Sequence, residues 1–444
     1  MITIFLESPT KIGKHRITDI ISMLATRCLP RNEGFFLKRF SGVHLFRKLG
    51  MSLLDRPITI FHADKYKKHY KTRSELLTLF SMPLEQAESL HDMVTGLNTD
   101  PLLRKAFQYS KPIYQSQLSR DLRKWDVAMF QQILQDLVAE TKRIKVFKGL
   151  SHLDLIRDLA GQDLTGVVGK QLVALDSTFK ILNPVTYSQA KYGYCTLTKR
   201  REPGLKAHLA YNVTVDAPLG LEVTPGNAHD SPLFEPLLSW TKAVLPPHEV
   251  ILTYDKGYYK ILRFDEQCEA GYGFVTPLKD NSLTRAEIFG FEEYSQGRWR
   301  VRDMVIRLNG GKHKLRAVLL SEEGGNEEFR LLTNLWDVDA ATLKRLYEAR
   351  WQIEILFRAV KQEFGLKTKR PIGRSLKAVI IQIYCAIITY LALSIYRHLV
   401  CGGLSVFELL RQIKYTRKRL IEVNLPQKWV QPGLFRELTP PEVN

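Results

Sequence analysis

At 444 residues, with 45% hydrophobic and 25% charged content, the chain reads as a soluble globular protein too long for one ordinary core, so two or three domains are expected. Its 65 Lys plus Arg against 46 Asp plus Glu leave a net charge of +19, which favours nucleic acid or an anionic surface as partner. Five cysteines (Cys28, Cys195, Cys268, Cys385 and Cys401) with no CxxC pair argue against a disulfide framework or a cysteine zinc site and fit a reducing cytosol.

The opening MITIFLESPTKIGKHR lacks the apolar run of a signal peptide, and the first forty residues are basic and weakly patterned. From Arg73 to Leu97 and from Pro101 to Leu137 apolar residues recur at helical spacing, broken by SMP and NTDP. Ser116 is the expected cap of a helix carrying Arg120, Arg123 and Lys124, a composition shared by helix-turn-helix readers and ordinary surface helices. From Lys170 the texture turns to strands. KQLVALDSTFKI is an apolar run interrupted by Asp176, and KRREPGLKAH is a basic loop. AHLAYNVTVDA and GLEVTPG form a hairpin through an Ala-Pro-Leu-Gly turn. An amphipathic helix over Ser231 to Val244 is capped by Asp230 or Ser231, with His229 in the capping turn. EVILTYDKGYY is a strand ending on Asp255, ILRFDEQCEAG a helix closing on Gly271, and GFVTPL one more strand. The order predicts a mixed sheet with helices against it, an α/β fold. Residues 281–335 add alternating Arg-rich strands, with hairpin signals at NGG and EEGGNEE.

No Gly or Pro falls between Ala341 and Glu363, so one continuous helix is predicted there. At about 100° per residue, Tyr347, Arg350, Glu354 and Lys361 fall at roughly 0°, 300°, 340° and 320°, one narrow stripe. Leu346, Ile353, Leu356, Phe357, Val360 and Phe364 form the adjoining core stripe. The remainder, 365–444, is helical and basic, with KTKRPIGRSLK and KYTRKRL, and ends in a Pro-containing tail. Ala378 to Val400 is long and apolar enough to span a membrane. Its Gln382, Thr389, Ser394, Arg397 and three tyrosines favour a buried core helix instead.

Asp176 is costly inside an apolar strand unless it is paired or binds metal. Asp255 ends a neighbouring strand, at the carboxyl edge where sites of such sheets gather, and Glu354 projects from a helix able to cross that edge. Three carboxylates without a Cys or His cluster suit Mg²⁺ or Mn²⁺ and can hold two ions about 3.5–4 Å apart. Structural alternatives exist: a paired Asp176, a turn residue Asp255 ahead of Gly257, and helix-spaced ion pairs among Arg350, Glu354 and Arg358.

DSTFK around Asp176, TYDKGYY around Asp255, LLTNL at 331–335 and Y-(2)-R-(3)-E-(6)-K from Tyr347 to Lys361 together resemble the insertion-sequence DDE transposases of family four, the branch with the Y-R-E-K signature. The resemblance covers roughly residues 165–370. It implies an RNase H-like core, a mixed sheet with helices on both faces, with Asp176, Asp255 and Glu354 as catalytic and metal-binding triad. Tyr347, Arg350 and Lys361 would grip DNA, and two Mg²⁺ per site, with Mn²⁺ able to substitute, would serve cleavage and joining. Members with a β insertion pass through a hairpin at the element's end and stack a flipped base on tryptophan. Trp299, Trp336 and Trp351 are the candidates, with core packing expected of Trp351.

The expected layout is a helical DNA-end-binding domain over 1–150, resting on position and charge, and a catalytic core begun in 165–280. An inserted β subdomain at 281–335, the Glu354 helix in 336–372 and a basic helical region over 373–444 complete it. Expected partners are double-stranded DNA, as terminal inverted repeats and target, and a second copy in a synaptic homodimer, with no membrane. Location would be cytoplasmic, on the nucleoid. The competing readings are a DNA-binding protein without cleavage and an RNase H-fold nuclease that cleaves without joining.

Overall fold

The computed structural model describes residues 42–85, 87, 89–143, 167, 169–322, 325, 328–364, 372–400 and 405–424. The basic opening stretch, the KTKRP part of KTKRPIGRSLK and the Pro-containing tail therefore lie outside the described residues, as does part of EEGGNEE.

Among the described residues seven helices precede the strands: α1 (Gly42–Leu49), α2 (Ser52–Ile60), α3 (Thr72–Ser81), α4 (Leu90–Thr99), α5 (Pro101–Ala106), α6 (Gln115–Lys124) and α7 (Val127–Arg143). Asp100 starts α5 by accepting from the amides of Leu102 and Leu103, just ahead of Pro101. Ser116 does not cap α6. Tyr114 holds that position without a side-chain bond, and Ser116 lies one residue inside the first turn.

The strands β1 (Gln171–Ile181), β2 (Lys191–Cys195), β3 (Arg200–Asn212), β4 (Ala217–Pro225), β5 (Val250–Tyr254), β6 (Gly273–Pro277), β7 (Glu287–Gln296), β8 (Trp299–Arg307), β9 (Leu315–Glu322) and β10 (Glu328–Thr333) form one sheet. Its order is β2-β3-β1-β5-β6-β10-β9-β8-β7, with β4 also on β3. The β1–β5 and β5–β6 pairs are parallel. Helices α8 (Phe234–Lys242), α9 (Ile261–Ala270), α10 (Ala340–Ala349) and α11 (Trp351–Glu363) pack on the sheet. With helices on both sides it is consistent with the RNase H-like core expected from the sequence, and β5 is buried at every residue, as such covering demands. The Arg-rich strands continue the sheet, since β10 pairs with β6 from Leu331↔Pro277 to Thr333↔Val275.

Three local expectations are corrected. KRREPGLKAH is strand rather than loop: β3 begins at Arg200, and an edge strand that the pattern did not reveal, β2, pairs with its first half. The β3–β4 turn is not Ala-Pro-Leu-Gly, which lies in β4. The chain reverses over Val213–Asp216 because the Asn212 side chain accepts from the amides of Thr214 and Val215 and Asp216 takes φ +54°. Finally, the single helix predicted over Ala341 to Glu363 is two, α10 and α11. At the junction the amides of Arg350 and Ile353 bond to residues three back, Tyr347 and Arg350. Propensity offers no breaker there; the tightened turn sits at the residue whose guanidinium is tied to β1, a tertiary override.

Helix α12 (Leu376–Val400) is followed by α13 (Val406–Asn424). The apolar stretch of α12 is 94% buried, so it is a core helix, packed against α1, α3, α6, α7, β4 and α13. Thr389 donates to the Phe80 carbonyl (3.2 Å), Gln131 to the Tyr384 hydroxyl (3.1 Å), and Tyr384 to the Leu221 carbonyl (3.0 Å). Helical region, sheet and α12 thus share one continuous apolar cluster.

Within the helical region Lys67 pairs with both buried Glu75 and Asp121. Burial, reinforced by a hydrogen bond with Asp121, pushes the Glu75 carboxyl up to about 9 against the pull of Lys67, while Asp121 is held below the usual range. The two carboxyls therefore share one proton beside one ammonium. The folded chain keeps a proton that the unfolded chain loses above pH 4.5, so stability declines as pH rises from about 4.5 to about 9. Glu75→Gln is expected to flatten that decline and raise the melting temperature at pH 8–9. Melting curves from pH 5 to 9 check this, and an unchanged slope would refute it.

Candidate active site

Strands β1 and β5 run parallel up to the pair Leu175↔Tyr254, so the next residues, Asp176 midway along β1 and Asp255 just past the end of β5, stand side by side where the parallel pairing stops. Asp255 Oδ1 also accepts from the Gly257 amide (2.8 Å), so its turn role and its place at this edge coexist. Helix α11 lies against β1. From its start Arg350 Nη1 donates to Asp176 Oδ2 and Nη2 to Glu354 Oε1 (3.1 Å). Two turns on, Lys361 Nζ donates to Thr178 Oγ1 (2.5 Å). The side chain between them on β1, Ser177, points to the other face, where its hydroxyl donates to Asp230 Oδ1 (2.9 Å). Three consecutive residues, Asp176-Ser177-Thr178, are thus tied alternately to α11 and to the Asp230 turn.

One cleft of about 1320 Å³ is lined by Asp176, Asp255, Glu354, Arg350 and Lys361 together with Asp230 and Lys206. Tyr347 faces a neighbouring cleft of about 760 Å³, with Asp255 on the wall between the two. Of the tryptophans, Trp351 is 49% exposed and not in the core, contrary to expectation. Its position on the edge of the apolar stripe turns it to solvent once the helix breaks at Arg350. Trp336 is exposed too. Trp299 is half-buried, edge-on to Phe329 with the Lys344 ammonium over its ring.

Burial pushes Asp176 up to about 7, with Asp255 and Glu354 adding to the rise and Arg350 opposing it. Burial disfavours the Arg350 charge, but Asp176, Tyr347 and Glu354 hold it on. Burial lowers Lys361, and burial together with Lys361 brings Lys180 down to about 8. Lys361 lines the cleft, whereas Lys180 shares a small adjoining cavity with it.

Among the described residues no three His, Cys, Asp or Glu side chains are gathered closely enough to hold a metal ion. The Arg350 guanidinium stands between Asp176 and Glu354. The donor set nevertheless fits a hard divalent cation: three carboxylates, oxygen only, with a cation already bridging two of them.

Sequence reasoning missed Asp230 and Lys206 as residues of the cleft. Asp230 was assigned to a helix cap, yet its side chain makes no capping bond to the turn at Ser231–Leu233. It accepts instead from Ser177 and from Lys206 (3.1 and 3.3 Å), with buried His208 at 3.4 Å. The available signal was the alternation Lys206-Ala207-His208, which sends both polar residues to one face of a strand.

Residues 168–391 match the transposase DDE domain family. The chain is 29% identical over 197 residues to a protein of Geobacillus stearothermophilus named as a transposase for insertion sequence element IS5377, covering 43% of this chain and 48% of that one. It is 30% identical over 200 residues to the Sinorhizobium fredii protein named as transposase y4zB, covering 43% and 53%. It is 27% identical over 199 residues to a Synechocystis protein named as a transposase for element IS4SA, again covering 43% and 53%. The chain spans about half the length of the curated relatives it matches. With half of its own length matched by one domain family, the chain belongs to the DDE transposases of insertion sequences.

Proposed function

We propose that the protein is an insertion-sequence transposase that binds the element's terminal inverted repeats, cleaves DNA at its ends and joins the freed 3′ hydroxyl to target DNA. Asp176, Asp255 and Glu354 are its catalytic carboxylates. The observation that carries this reading is the meeting, in one cleft, of three carboxylates, from the middle of β1, the end of β5 and a helix, with the cations Arg350 and Lys361. The Tyr347, Arg350, Glu354 and Lys361 spacing supports placement in the Y-R-E-K branch, family four.

Asp176, Asp255 and Glu354 would hold two Mg²⁺, or Mn²⁺ in their place. Bound there, the ions would activate the attacking oxygen and neutralise charge developing at phosphorus. The chain's own contribution is positional. Arg350 is placed to exchange its carboxylate partners for a phosphate, Lys361 to neutralise the anion, and the Tyr347 hydroxyl to hydrogen-bond it from the next cleft. Exposed Trp336 and Trp351 are the better candidates for a flipped base at a hairpin end, since Trp299 is already engaged. The basic helical region binds the repeats, two copies pair at synapsis, and the charge of +19 keeps the protein on the nucleoid in the cytoplasm.

The test uses purified protein, supercoiled DNA carrying the element's own ends, and Mg²⁺ or Mn²⁺. End cleavage, hairpins and joined products that appear only with metal support the reading. Binding without cleavage in either metal would replace it with a DNA-binding protein, and cleavage without joining with a nuclease.

A further inference from the structure

The cleft has a second wall that the proposed mechanism leaves without a task. The edge hairpin β2–β3 presents Tyr192, Tyr194 and Leu197 to it at 49%, 61% and 85% exposure. Apolar and aromatic groups so exposed in a cleft mark a contact surface. Around them Lys191, Lys199, Arg200 and Arg201 are exposed and have no carboxylate partner among the described residues. Lys199, at the hairpin's tip, takes φ +52°, a left-handed conformation that lysine rarely adopts.

The hairpin is held stiffly. Behind the two tyrosines Gly193 lies so close to the end of β4 that an added Cβ would stand 1.7 Å from the Gly226 carbonyl oxygen. Gly193, Gly204 and Gly226 all close on the ring of Phe179, two residues past Ser177 on β1. The tyrosines therefore ride on the same strand framework as Asp176.

From this we infer that β2–β3 is a binding platform for single-stranded DNA leading to the reactive cleft, with successive bases stacked on Tyr192 and Tyr194 and the flanking basic residues on phosphates. Residues two apart on a strand lie roughly 6.5–7 Å apart, about twice the 3.4 Å rise of a stacked nucleic-acid strand. Two adjacent nucleotides fit such a pair of rings only when they are unstacked, which favours a single strand over a duplex. Rings beside a basic groove are the chemistry of sequence-tolerant single-strand binding. The inference rests on the transposase reading and deepens it by naming the substrate form at this wall.

The test is binding in metal-free buffer, where cleavage plays no part. The full chain is titrated into duplex element ends, either blunt or carrying a short single-stranded extension with 2-aminopurine, and both anisotropy and base fluorescence are read. The wild type is expected to bind the extended end more tightly and to quench the probe. Replacing both tyrosines with Ala should weaken binding of the extended end about 5- to 100-fold, remove the quenching, and leave the blunt duplex unchanged. The Tyr→Leu pair, which keeps strand-forming apolar side chains, should lose quenching as well, and the Tyr→Phe pair should keep it. Quenching retained in the Leu variant, or equal affinity for both DNAs in the wild type, overturns the platform while leaving the transposase reading intact. A wild type that binds neither DNA defeats both.

Discussion

Glu354→Gln is expected to lower end cleavage by about 10³-fold, on the order of 4 kcal/mol of lost transition-state stabilisation, while DNA binding stays within about twofold. The substitution keeps the side chain's volume and an oxygen facing Arg350, and removes only the charge that would complete the metal-holding set. The glutamate side chain is one-third exposed, and its ion pair with Arg350 sits on the outer side of the one to Asp176, so the fold should tolerate the change. Single-turnover cleavage of labelled ends, with binding measured in the same buffer, reads both quantities. A variant that cuts at more than a tenth of the wild-type rate would show that Glu354 holds no metal needed for the reaction. A variant that loses binding as well would make it a structural partner of Arg350.

The second large effect concerns stability and lies far from the chemistry. Asp216 accepts from the hydroxyls of Tyr211 (2.6 Å) and Tyr390, and Arg397 lies 3.7 Å away. The carboxylate, about one-fifth exposed, joins the β3–β4 turn to α12, where burial pushes its pKa up and Arg397 and the two tyrosines pull it down. Asp216→Ala leaves two buried hydroxyls without this acceptor and removes the carboxylate charge beside the Arg397 guanidinium, at a cost of about 3–5 kcal/mol. It also puts alanine at φ +54°, a conformation that Asp and Asn tolerate far better. Asp216→Asn keeps the turn and an acceptor oxygen and should recover at least half of the loss. Urea unfolding of the three proteins gives the comparison. A cost below about 1 kcal/mol for Ala would mean that water replaces the carboxylate.

The meeting of Asp176, Asp255 and Glu354 was legible because it follows from short-range rules. A charge inside an apolar strand, a strand that ends on aspartate and a carboxylate on a helical stripe each show in a few residues. The same holds for α12, whose scattered polar groups marked it as buried in protein. What escaped depends on distant partners. Nothing between Ala341 and Glu363 announces a break, because the turn at Arg350 is drawn by Asp176, 174 residues away. Asp230 looked like a cap because its partners, Ser177 and Lys206, are 53 and 24 residues away. Strand β2 alternates tyrosine with glycine and cysteine and carries too little apolar weight to stand out. It is a strand because β3 offers it an edge and Gly193 lets it come close.

The burial of α12 also bears on how the chain is made. Helices α1, α3 and α7 leave the ribosome more than 230 residues before Leu376 does, and until then the apolar faces they turn to α12 have no cover. At about 5–20 residues per second that wait lasts roughly 10–50 s, long enough for chaperones and proteases to sample the nascent chain. A copy of the gene cut short before α12 would yield a product held permanently in that exposed condition and open to degradation. Helix α12 thus acts as a completeness check, admitting to the folded pool only chains that already carry every residue of the cleft.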